Sequence, residues 1–154
     1  MKARVIGIVT ALCLVAPLLA RVPVGGTKIA LDQKTHFAPV HIYLDSGSKP
    51  LAAYQFELKA TSGQIKIVGV EGGEHPAFKE APYYDPAALM NDRIIIAAFN
   101  TGDNLPQGRT RIATIHLQIL GDAEPEYALK LIVAVDDDGQ EVPAKLNVQT
   151  GENK

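Results

Sequence analysis

From residue 40 the chain alternates apolar and polar positions, with Val40, Ile42 and Leu44 on one side and His41, Tyr43 and Asp45 on the other. A period of two places successive side chains on opposite faces of an extended strand, so residues 40–45 are predicted to form a half-buried strand. Tyr54, Phe56 and Leu58 repeat the pattern against Gln55, Glu57 and Lys59. Similar runs cover residues 64–70, 111–120, 128–136 and 144–148, and residues 28–31 read as a first edge strand. Turn residues separate them: Ser46-Gly47-Ser48-Lys49-Pro50, Ser62-Gly63, Asn100-Thr101-Gly102-Asp103-Asn104 and Asp136-Asp137-Asp138-Gly139. The last reads as a hairpin turn between its flanking strands, because Asp-Gly supplies the positive φ that a tight hairpin requires. Outside the N-terminal run no segment carries a helical stripe, although residues 86–90 are predicted to make one helical turn capped by Asp85. The expected fold is all-β: an antiparallel sandwich, jelly-roll or immunoglobulin-like, of about eight or nine strands with one long loop.

Two segments depart from simple alternation. Ile94, Ile95, Ile96, Ala97, Ala98 and Phe99 are apolar on both faces. Such a strand is either covered on both sides or carries an apolar strip to the outside. Residues 72–92 contain Pro76, Pro82, Pro86, Tyr83 and Tyr84 and are longer than an ordinary sandwich connection, which marks them as a candidate functional loop.

With 154 residues the chain has room for one compact domain, which excludes a two-domain reading. Its N-terminus has the three parts of a secretory leader: Lys2 and Arg4, an uncharged apolar run over residues 5–20, and a break at Pro23 and Gly25. The expected organisation is therefore a signal peptide over residues 1–20 and a single domain over residues 21–154 that is secreted, extracellular or periplasmic. The apolar run is interrupted by Pro17 and is shorter than the roughly 20 residues that span a bilayer, so no stable membrane span is expected. The only cysteine, Cys13, falls inside this run, leaving the remaining chain without disulfide or thiol chemistry. Without Lys2 and Arg4 the 15 basic residues fall to 13 against 17 acidic ones, a net charge of -4 that offers no general attraction for nucleic acid.

Chemistry is sparse in what remains. There is no nucleophile elbow and no catalytic triad spacing, and Glu57, Glu71, Glu74 and Glu80 are scattered without the pairing that glycoside hydrolysis needs. No catalytic residue is assigned and no enzyme activity is expected. His36, His41, His75 and His116 lie too far apart in sequence to bring two imidazoles from one element to a metal, and no cofactor is expected. Asp136, Asp137 and Asp138 suggest part of a calcium loop, but the turn reading accounts for them. Tyr83, Tyr84 and Asp85 are the candidate carbohydrate contacts, since aromatic faces stack on sugar rings. Their structural alternative is that one ring packs under the loop while the other lies on the surface.

The strand contents resemble the cohesin family, within the carbohydrate-binding-domain-like sandwiches. The likeness runs from Lys28 to Val148. It lies in Val40-His41-Ile42-Tyr43-Leu44, in Leu51-Ala52-Ala53-Tyr54-Gln55-Phe56-Glu57-Leu58, and in Ile65-Lys66-Ile67-Val68-Gly69-Val70-Glu71. Residues 93–100, the Gly108 turn and residues 112–119 look like the family's paired central strands. The resemblance implies a nine-stranded jelly roll whose flat outer face binds a dockerin-like module, a small calcium-dependent helical pair, in extracellular assemblies linked to polysaccharide degradation. On this chain that face would comprise Gln55 and Glu57, then Ile95, Ala97 and Phe99, then Thr114 and His116. The alternative partner is a polysaccharide held by Tyr83, Tyr84 and Asp85.

Overall fold

A computed structural model describes residues 34–151. The leader and the first edge strand expected over residues 28–31 lie outside the described residues. Among these residues eight strands form two four-stranded antiparallel sheets: β1 (Thr35–Asp45), β2 (Ala53–Ser62), β3 (Gln64–Gly72), β4 (Tyr83–Tyr84), β5 (Arg93–Phe99), β6 (Arg109–Leu120), β7 (Glu126–Val135) and β8 (Lys145–Thr150). The first sheet has the order β3-β6-β1-β8 and the second β4-β5-β2-β7. The all-β sandwich expected from the alternation is the observed fold. Among the described residues no helix is long and apolar enough to cross a membrane.

Alternation determines what each strand contributes to the core. Val40, Ile42 and Leu44 of β1, Tyr54, Phe56 and Leu58 of β2, Ile94 and Ile96 of β5, and Ile115, Leu117 and Ile119 of β6 all point inward and are buried. Tyr54 ties the sheets together: its hydroxyl donates to the Ile112 carbonyl at 2.9 Å, and its ring meets Phe78 edge-on at 5.1 Å. Burial raises the Tyr54 pKa, because a phenolate in this interior would have lost its water.

The proline-rich segment over residues 72–92 is ordered. Two single 3₁₀ turns, Pro76–Phe78 and Pro86–Ala88, each start with proline after a capping side chain. His75 Nδ1 accepts from Ala77 N at 3.2 Å and Asp85 Oδ1 accepts from Ala87 N at 2.9 Å, so the expected Asp85 cap is present. Buried Phe78 anchors the loop, and Gly73 N donates to the Phe78 carbonyl at 2.7 Å.

Two pairings differ from the expectation. Residues 112–119 do not pair with residues 93–100, because β5 and β6 belong to different sheets. The intervening loop carries the chain across the sandwich, and Gly108, with φ of +69°, exchanges hydrogen bonds with the Ser46-Gly47 turn beside it. The Asp136–Gly139 turn forms as expected, with Gly139 at φ +73° and Asp136 N donating to the Gln140 carbonyl at 2.9 Å. It does not close a hairpin between β7 and β8. Pairing stops at a single bridge between Val135 and Glu141, and the chain then crosses to join β1 in the first sheet.

Candidate functional site

The outer face of the second sheet gathers most of the candidates. β5 sends Ile94 and Ile96 inward, so Ile95, Ala97 and Phe99 must face out, and β2 sends Gln55 and Glu57 out beside them. The register sets Gln55 opposite Ala97, Glu57 opposite Ile95 and Ala53 opposite Phe99. Phe99 is 64% exposed and Ile95 37%. The apolar strip therefore lies on the outside, and no loop of the described chain covers it. β4 adds Tyr83, itself 68% exposed, whose ring lies parallel to Phe99 at 7° with centroids 6.0 Å apart. Offset stacking of this kind holds two rings side by side as one apolar platform.

The opposite half of the same face is charged. Glu57 is hydrogen-bonded to the Arg93 guanidinium. That bond, with Lys130 and Lys59 nearby, holds its carboxyl below the ordinary carboxylate range. An apolar patch thus adjoins three cations around one carboxylate. A groove of about 650 Å³ runs along the boundary, lined by Gln55, Tyr83, Asp85, Arg93, Ile95 and Ala97 among others.

Thr114 and His116 are not part of this face. β6 lies in the first sheet, so both point out on the far side of the sandwich. Thr114 is buried there against the His41 ring, with Oγ1 at 3.1 Å from Nδ1, and His116 Nε2 stands 3.2 Å from Glu71 Oε1. Arg111 Nη1 lies 3.5 Å from His41 Nδ1. Burial first, then the charges of Arg111 and His116, lower the His41 pKa, while Glu71 opposes them. The Tyr83, Tyr84 and Asp85 set is also divided. Neighbouring strand residues face opposite ways, so Tyr84 packs against the core while Tyr83 faces solvent, and Asp85 spends one carboxylate oxygen on its cap.

β7 contributes side chains that the sequence reading left out. Leu131 packs on the core, but a bulge against Gln55 and Phe56 leaves both Ile132 and Val133 exposed. The signal was the unbroken apolar run from Leu131 to Val135, where strict alternation fails. Among the described residues no group of three or more His, Cys, Asp or Glu side chains comes together as a metal site. No family model, no curated protein and no solved structure matches the chain.

Proposed function

We propose that the chain is a secreted, non-enzymatic binding module of cohesin-like jelly-roll type, and that the outer face of the β4-β5-β2-β7 sheet docks a dockerin-like protein partner. One observation carries this reading: Tyr83, Phe99 and Ile95 form an exposed apolar strip on a regular sheet, where a chain acting alone would place polar side chains. A strip of this composition supplies the dry centre of an interface, and Gln55, Glu57 and Arg93 around it supply directional hydrogen bonds. Thr114 and His116 have no part in this interface, because they belong to the opposite sheet.

The test is titration calorimetry of the full chain with a calcium-loaded dockerin module, repeated after chelation. Saturable binding that disappears without calcium supports the reading, and heat no greater than dilution across a panel of dockerins overturns it. A second reading, carbohydrate binding, is favoured by the Tyr83 ring beside the polar groove of Gln55, Asp85 and Arg93. It predicts retention on an insoluble polysaccharide that Tyr83→Ala abolishes.

A further inference from the structure

Among the described residues β7 is an edge strand. One side pairs with β2, and on its other side the described residues make backbone pairings near its end, where Val142 N donates to the Ala134 carbonyl at 2.9 Å and Val135 bridges Glu141. Over residues 126–131 no strand of the described chain other than β2 pairs with it. An open edge of this length offers unpaired backbone donors and acceptors to another strand, and a charged side chain, especially lysine, is one device by which proteins limit indiscriminate pairing there. Lys130 stands in that position. Glu126 precedes it by four residues on the same exposed face, with only Ala128 between them on that face.

This spacing is self-complementary. In an antiparallel pair of β7 strands about a two-fold axis through Ala128, Glu126 of each copy faces Lys130 of the other. The small Ala128 side chains meet at the centre, and Tyr127 faces Leu129 on the inner side, where both already pack on the core. Moving the axis one residue to Leu129 would set Lys130 against Ala128 and Glu126 against Ile132, leaving both charges unmatched. Neither Glu126 nor Lys130 takes part in a salt bridge among the described residues, and Glu57, the register partner of Lys130 on β2, is bound to Arg93.

We propose that two copies of the chain associate through antiparallel β7 pairing centred on Ala128, with the Glu126 and Lys130 pairs selecting the register. Such a dimer joins the two second sheets into one continuous sheet and presents the apolar strip twice on one surface.

The test is sedimentation equilibrium of the full chain over a dilution series. The unmodified chain is expected to dimerise. E126K and K130E each replace two attractive pairs with two repulsive ones and are expected to raise the dissociation constant about tenfold or more. An equimolar mixture of the two variants restores opposite charges across the axis and is expected to recover association, as is the double variant. Both positions are exposed, and circular dichroism melting checks that each variant is folded. A chain that stays monomeric throughout overturns the proposal, as does a dimer indifferent to both single reversals. Failure of the mixture to recover overturns the register.

Discussion

Replacing Phe99 with Ala separates a surface anchor from a core residue. Full burial of a phenylalanine side chain stabilises a fold by roughly 1.5–3 kcal/mol, and with the residue 64% exposed only about a third of that applies. Loss of the parallel contact with Tyr83 adds about 0.5 kcal/mol, so Phe99→Ala is expected to cost about 1–1.5 kcal/mol of stability. Ile96, three positions away and fully buried, supplies the internal standard. Ile96→Ala should cost about 2–5 kcal/mol, because it deletes buried methylenes and leaves a cavity. Urea unfolding with a shared slope measures both. On the partner side a central anchor is worth about 1–4 kcal/mol, or roughly fivefold to a thousandfold in affinity. Two results would refute the reasoning. A Phe99→Ala loss of stability equal to that of Ile96→Ala would make the ring a core element, and a folded variant with undiminished partner affinity would remove it from the interface.

Further predictions concern pH and close packing. Asp136 is buried, and the Gln140 N–H at 2.8 Å, helped by Lys49 at 3.4 Å, lowers its pKa from the ordinary 3.8. Its contribution is therefore present above 3.8 and lost as pH falls through the folded value, so Asp136→Asn should flatten the acid limb of urea midpoint against pH. A steep acid limb unchanged in the variant would place that limb elsewhere. His41 has a folded pKa below its ordinary 6.5, so the unfolded chain takes up the proton first and stability declines as pH falls below 6.5. His41→Gln should remove that decline, measured by thermal melting between neutral and mildly acid pH. A Cβ at Gly73 would overlap the Arg111 carbonyl, whereas one at Gly47 meets nothing. Gly73→Ala is expected to cost about 3 kcal/mol or more through forced backbone movement, and Gly47→Ala only the roughly 1–2 kcal/mol of its left-handed φ. Equal midpoints for the two variants would contradict the close approach.

What the sequence determined by itself was local. A single strand dictates that alternate side chains part to opposite faces, so the inward sets of β1, β2 and β6 and the outward placement of Gln55 and Glu57 were legible from period alone. The cap at Asp85 was legible for the same reason, because an acceptor side chain before a proline satisfies N–H groups only two residues away. Strand partnership was not legible. It depends on where long connections cross the sandwich, and the loop before Gly108 and the turn after Asp136 both move the chain to the other sheet. That crossing put Thr114 and His116 behind the face they were expected to share, while β4, at two residues too short to leave a periodic signal, placed Tyr83 on it beside Phe99. Tertiary structure alone decided that the apolar second side of β5 faces solvent, since nothing in a run of isoleucines states whether another layer will cover it.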